Sequence, residues 1–415
     1  RGERIKVRDF HNLIGRAGRA GMFTEGSIVF SDPNVFDKRK SEREKWRWES
    51  VKDLLDSRRS EPCVSTLLTL FEPIKSDDGS YIIQTEPLEL VQTYVSDPAS
   101  IENLAQSLAA QHGELGFSQS GVQEQVERKL NLISAVEGYL LAQWGDPDAQ
   151  QAEWEVALAR ETLAYFLADD GQKGTIIALF SMLRSHIEAM NLQQPIRKAF
   201  ARTLLGLRDA TTLRNWLDQH RQEFREDMSG DDLLGVLWPI VDPIVRDKQL
   251  AGCRTDGVAF QIASLWISGI SFEHILSYLE LLDARLGKGK RPRRFKIEYV
   301  VDICENVIAF DVAQVVAAVM EIVKANAEEV MPPWVMELEL LHKRLKYGLP
   351  SKRAVSVFEA GITDRVIAME LADLVTDDQA TSKRLTSQSL RDRRQNALPI
   401  LGRYPTYFSM QYGLL

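Results

Sequence analysis

Cysteine is scarce in this sequence, and its three copies stand alone. Cys63, Cys253 and Cys304 form no Cys-x-x-Cys pair and have no histidine at ligand spacing. That argues against a structural zinc site and a disulfide framework, and it fits a reducing compartment: the cytoplasm, or the nucleus in a eukaryote. The six histidines are scattered, so no Ser/His/Asp or Cys/His constellation assembles. No GxxxxGK followed by Ser or Thr occurs. Gly287-Lys288-Gly289-Lys290 has the wrong spacing for a phosphate loop and no strand before it. No pair of acids is placed to hold Mg²⁺. Asp231, Asp232, Asp377 and Asp378 read as helix starts. No apolar run reaches the length of a membrane span, because Asp311 and Gln314 interrupt the best candidate, Val307 to Val323. No leader-like stretch, low-complexity segment or fixed-period repeat stands out. The net charge of −8 excludes a global basic signature, so any contact with a polyanion must come from local patches.

What remains is a chain of 415 residues, 44% hydrophobic, able to bury a substantial core and expected to divide into two or three domains. Its most distinctive stretch lies near the start: Asn12-Leu13-Ile14-Gly15-Arg16-Ala17-Gly18-Arg19-Ala20-Gly21. As a helix, this run places Phe10, Leu13, Ile14 and Ala17 on an apolar stripe, and Asn12, Arg16 and Arg19 on another face. Gly15 and Gly18 are costly there, at about 0.5–1 kcal/mol each against Ala. Two such glycines beside two arginines point to something that approaches the backbone closely. A phosphate suits, since guanidinium groups are permanently charged and donate bidentately.

The run FHNLIGRAGRAG resembles motif VI of superfamily-two helicases, Gln-x-x-Gly-Arg-x-Gly-Arg. Thr24 to Phe30 resembles the strand that follows that motif. The Ala-Gly-Arg-Ala version with a nearby Glu-Gly is most similar to the superkiller-type helicases. Asn12 departs from the family's Gln and shortens one hydrogen-bonding arm. The resemblance covers about 20 of the 415 residues. It implies that residues 1–34 end the second of two RecA-like α/β domains, since one strand alone would leave its backbone groups unsatisfied. It further implies that Arg16 and Arg19 meet the γ-phosphate of ATP as an arginine-finger pair, with Asn12, Gly15 and Gly18 lining the nucleotide. Such a device is worth on the order of 10³–10⁵ in rate in GTPases. ATP and Mg²⁺ would be held mainly by an upstream domain, so this segment alone is not expected to be an ATPase.

After Phe30 the pattern becomes helical. Phe36 to Arg59 is dense in charge of both signs and reads as a solvated helix, with Trp46 and Trp48 expected to pack against the neighbouring domain and base stacking as the alternative. Tyr81 to Gln84 is the only other strand candidate. Apolar spacing of 3.6 residues marks helices over Val122–Trp144, Trp154–Leu167, Thr175–Met190, Pro195–Leu207 and Thr211–Phe224. It continues over Asp231–Val245, Val258–Trp266, Phe272–Leu286, Ile297–Phe310, Val312–Val330 and Trp334–Tyr347. Tyr347-Gly348-Leu349-Pro350, followed by Glu359-Ala360-Gly361-Ile362-Thr363-Asp364-Arg365, resembles the helical hairpin that often closes the bundles of that family. The expected fold is mainly α: the last helix and strand of a RecA-like domain (1–34), a linker with winged-helix-like or helical character (35–175), and a helical bundle (176–415).

Of three basic clusters, two are candidates for a phosphate backbone. Lys288, Lys290, Arg291, Arg293, Arg294 and Lys296 crowd a Gly/Pro loop with no balancing acid. Lys343, Arg344, Lys346, Lys352 and Arg353 flank the Gly348-Leu349-Pro350 turn, where Ser351 can cap a helix. Arg384, Arg391, Arg393 and Arg394 read as a solvated face. Two functional classes stay open. One is the C-terminal part of an ATP-dependent helicase whose helical region grips DNA or RNA. The other is a helical protein-interaction module on a helicase-like remnant, including a helicase subunit partnered with a nuclease in a prokaryotic defence complex.

Overall fold

A computed structural model of the chain describes residues 5–11, 32, 34–96, 100–144, 153–245, 258–286, 295–326 and 331–413. Within them the protein is mainly helical, as the apolar spacing requires. Among the described residues the sheet is a single antiparallel hairpin, Ile74–Lys75 paired with Ile82–Ile83. The expected strand at Tyr81 to Gln84 is thus the second arm of that hairpin. Its partner comes from the end of the apolar run Cys63 to Ile74.

The chain forms two compact units. One comprises Arg1–Thr69 with Thr162–Asp169, the other Leu70–Glu161 with Asp170–Leu415. In the smaller unit, the short helix Asp37–Lys40 and the helix Lys45–Leu55 pack together, and neither contains a buried residue. In the larger unit, the 25-residue helix Gln119–Gln143 is central. It presents Val122, Val126, Leu130, Ile133, Val136 and Leu140 at helical spacing to its neighbours Ser100–His112, Asp170–Ala189 and Gln194–Thr203. Ala313–Asn326 then lies between Gln194–Thr203 and Trp334–Tyr347. Helix starts follow the expected chemistry. Ser118, Ser351, Asp364 and Ser382 each accept from a backbone N–H two to three residues inside their helices. Ser229 and Asp232 cap each other reciprocally: Ser229 N donates to Asp232 Oδ2 at 3.0 Å, and Asp232 N to Ser229 Oγ at 3.2 Å.

Two expectations about boundaries are corrected. Trp154–Leu167 is broken into Trp154–Glu161 and Leu163–Leu167, because Thr162 leaves the helix and caps the second piece through Tyr165 N at 3.2 Å. The opposite holds for Ile297–Phe310 and Val312–Val330, expected as two helices. They join through a π-helical stretch, Ile303–Val312, into one run over Ile297–Asn326. Asp311 lies within the π-helical stretch and does not end the helix. As one piece it is long and apolar enough to cross a membrane, contrary to the reading of Val307 to Val323, but 56% of its apolar stretch is buried inside the fold. Ile303, Cys304, Val307, Ile308, Val316 and Val319 all lie in the core.

The C-terminal helices meet at a tightly specified joint. Trp334–Tyr347 ends at Gly348, whose φ of 62° and ψ of 45° are left-handed. Gly348 N and Leu349 N both donate to Arg344 O, at 2.8 and 3.4 Å, and Leu349 is fully buried. A Cβ on Gly348 would lie 2.5 Å from Trp266 Cε2. The expected hairpin of helices follows as Lys352–Ala360 and Arg365–Leu371, packed on one another. Gly348→Ala should therefore cost about 2–5 kcal/mol, from left-handed strain and overpacking against the indole together. Urea unfolding checks this; a midpoint equal to that of wild type would mean that the joint does not carry the fold.

Candidate functional site

The described part of the motif-bearing segment is a helical turn over residues 7–11. Its free N–H groups need acceptors, and Glu61 supplies them from a distant part of the same unit. Val7 N donates to Glu61 Oε1 at 3.1 Å and Arg8 N to Oε2 at 3.0 Å, while Arg8 Nη1 reaches Pro62 O at 3.1 Å. The backbone amide of Arg8 is the main cause holding the Glu61 carboxyl below the usual range; those of Glu61 and Val7 and the Arg8 charge add to it. His11 stands edge-on to Phe10 with ring centroids 6.0 Å apart, and its Nε2 is buried with no hydrogen-bond partner among the described residues. Asn12, Gly15, Arg16, Gly18, Arg19 and the strand expected to follow them lie outside the described residues.

The Lys288, Lys290, Arg291, Arg293 and Arg294 cluster also lies outside them; Lys296 is described, and follows Phe295 into the helix Ile297–Asp302. The second basic cluster is described and is largely occupied with itself. Lys343 Nζ lies 2.8 Å from Glu359 Oε2, Arg344 Nη2 3.1 Å from Asp231 Oδ1, and Arg353 Nε 3.3 Å from Asp377 Oδ1. Asp231 and Asp377, read as helix starts, are thus ion-pair partners as well. Lys346 sits 5.4 Å from the Tyr347 ring centroid, and Lys352 is exposed. Ser351 caps the helix Lys352–Ala360 through Ala354 N at 3.2 Å. In the third cluster Arg384, Arg391 and Arg394 are exposed and Arg393 half-buried, as a solvated face should be.

Two polar constellations have no signal in the sequence. Glu137 is fully buried in the larger unit. Tyr94 Oη donates to its Oε2 at 2.5 Å, and His186 Nδ1 lies 3.0 Å from its Oε1. The three side chains come from the helices Pro87–Ser96, Gln119–Gln143 and Asp170–Ala189. Burial first, and the Glu137 carboxylate second, raise the Tyr94 pKa, so the phenol stays a donor. The second constellation is Arg365. Its guanidinium lies 3.8 Å from the Trp266 ring centroid, its Nε donates to Gly348 O at 2.9 Å, and its Nη2 reaches Ile270 O at 3.4 Å. Neither can be found from sequence, because the partners are far apart in the chain and no local spacing marks them. Among the described residues, no group of three or more His, Cys, Asp or Glu side chains could hold a metal ion.

In the smaller unit, Trp48 stands edge-on to Phe36 with ring centroids 5.0 Å apart, whereas Trp46 is 54% exposed. No family model matches the chain, and no curated protein matches it.

The Glu61 contact has a pH sign. Because its pKa is depressed in the folded chain, the cap is present above the ordinary carboxylate range and is lost as pH falls through the lowered value. Val7 and Arg8 amide resonances should shift together in that acid range, and Glu61→Gln should abolish the shift. An identical titration in the variant would remove Glu61 from the role.

Proposed function

We propose that this chain is the C-terminal part of an ATP-dependent DNA or RNA helicase, with the end of a RecA-like domain followed by a helical accessory region. One observation carries the reading: Gly15-Arg16-Ala17-Gly18-Arg19 after Asn12, on a helix-patterned run with a strand-like segment behind it. Arg16 and Arg19 would reach across a domain cleft to the γ-phosphate and offset charge as the phosphoryl group leaves. Gly15 and Gly18 would leave room for the triphosphate to pass close to the backbone. Mg²⁺, held by the upstream domain, would neutralise the phosphates. A helical region after the motif suits a strand-gripping role and supports the reading to that extent. In the protein that includes the upstream nucleotide domain, Arg16→Ala and Arg19→Ala should each lower ATP turnover by about 10³-fold or more while leaving the unfolding transition intact. Near-normal kcat in both would end the catalytic role.

A second reading, a helical protein-interaction module, draws on the internal pairing of Lys343, Arg344 and Arg353, which leaves that cluster little free charge for phosphates. The loop at 288–296 separates the two. If it follows a phosphate backbone, replacing Arg291, Arg293 and Arg294 by Ala should flatten the slope of log K against log salt for single strands by about 0.7 per phosphate no longer neutralised. Parallel lines would favour the interaction module.

A further inference from the structure

The smaller unit carries a second feature that neither the ATP site nor the two loop clusters account for. Between Phe36 and Arg47 the sequence places six cations against three carboxylates, in a chain whose net charge is −8. The fold concentrates them. The helices Asp37–Lys40 and Lys45–Leu55 pack on one another, with Lys38 and Arg47 both reaching back to Asp32 and Trp48 seated on Phe36. Lys38, Lys45 and Arg47 have acidic partners in Asp32, Glu44 and Glu49. Arg39, Lys40 and Arg43 are exposed and, among the described residues, have no carboxylate within ion-pair distance. Asp37 and Glu42 are the exposed acids beside them and do not cancel the excess.

Aromatic surface is exposed in the same twelve residues. Trp46 is 54% exposed, with the Arg47 guanidinium 5.5 Å from its ring centroid, and Phe36 is 49% exposed, with Arg39 stacked 3.5 Å from its centroid. Folding alone would bury an indole rather than display it beside uncompensated cations. An apolar partner would have to desolvate the unpaired cations, and a simple polyanion would have no use for the rings. One class of ligand combines a negative backbone with flat π-faces free to stack, namely a single-stranded nucleic acid.

We propose that the surface formed by Arg39, Lys40, Arg43 and Trp46 is a binding site for single-stranded nucleic acid, in which the guanidinium and ammonium groups follow the phosphates and Trp46 stacks on a base. The contact is sequence-tolerant, because every base offers a π-face. It needs no nucleotide and no arginine of the motif VI-like run.

The test is fluorescence anisotropy of a labelled 20-nucleotide thymidine strand with the full chain, without ATP. Trp46→Ala should weaken binding about 5- to 100-fold, while Trp46→Phe, which keeps a stacking ring, should recover most of it. An abasic strand of equal charge should bind more weakly to wild type and be indifferent to Trp46→Ala. The triple variant Arg39→Ala, Lys40→Ala, Arg43→Ala should weaken both strands and reduce the salt slope by about 0.7 for each phosphate it no longer neutralises. Equal affinity of wild type and Trp46→Ala for the thymidine strand overturns the proposal. So does equal binding of the thymidine strand, the abasic strand and polyglutamate, which would make the patch a general anion or acidic-peptide surface. The measurement contains no ATP, so failure of the ATPase reading leaves it unchanged.

Discussion

Much of the C-terminal architecture depends on what surrounds the Trp266 indole. Its Nε1 donates to Leu345 O at 2.6 Å, one face carries the Arg365 guanidinium, and its edge fills the space that a Cβ on Gly348 would need. Phe272 stacks beside it at 5.5 Å between centroids. Arg365 then ties Gly348 O to Ile270 O, and Arg344, one turn before Gly348, ties Ile267 O to Asp231. Two arginines thus satisfy carbonyls at helix ends that would otherwise be buried without donors. Burial lowers the Arg365 pKa, offset in part by Cys304, Glu305 and Asp364, yet a guanidinium starts far enough above neutrality to stay charged. A lysine would offer neither the planar face for the indole nor two donors in fixed geometry.

Elsewhere in the larger unit other residues serve the same end. Lys129 is buried and donates to Leu70 O at 2.7 Å and to Glu72 O, closing the end of the helical turn Thr66–Phe71. Burial lowers its pKa, and the nearby Glu72 works against that fall. Glu137 is held between Tyr94 and His186 on two other helices. Removing any one of these partners leaves a buried polar group unsatisfied, which costs more than the net worth of the bond. Such groups fix which helices meet and in what register, a task that interchangeable Leu, Ile and Val contacts leave underdetermined.

These ties also mark the limit of what is legible in the sequence. Apolar periodicity exposes most of the helices of the larger unit, and Gly348 with its following Leu349 announces a helix end, because both signals are local. The break at Thr162 escapes sequence reasoning because a Thr is compatible with either a helix interior or a cap, and only its bond to Tyr165 N decides. Asp311 interrupts the apolar spacing in the sequence, yet one polar residue does not end a helix, and the π-helical stretch carries the chain past it. The final helix, Thr406–Gly413, has almost no amphipathic signal, so periodicity gives no warning of it. Its place is fixed by Tyr412, buried at 5% exposure, and its bond to Leu390 O.

Charge shows the same limit where function is concerned. In sequence, Lys343, Arg344, Lys346, Lys352 and Arg353 look like a better phosphate site than Arg39, Lys40 and Arg43, since the former flank a capped helix start and the latter sit among acids. Folding reverses the ranking. Glu359, Asp231 and Asp377 arrive from elsewhere in the chain and take up three charges of the first group, while Asp32, Glu44 and Glu49 pair with Lys38, Lys45 and Arg47 and leave Arg39, Lys40 and Arg43 outnumbering Asp37 and Glu42. A cation's availability is therefore a property of the pairing that the fold has already made. Local composition counts charges, whereas binding depends on those left unpaired after packing.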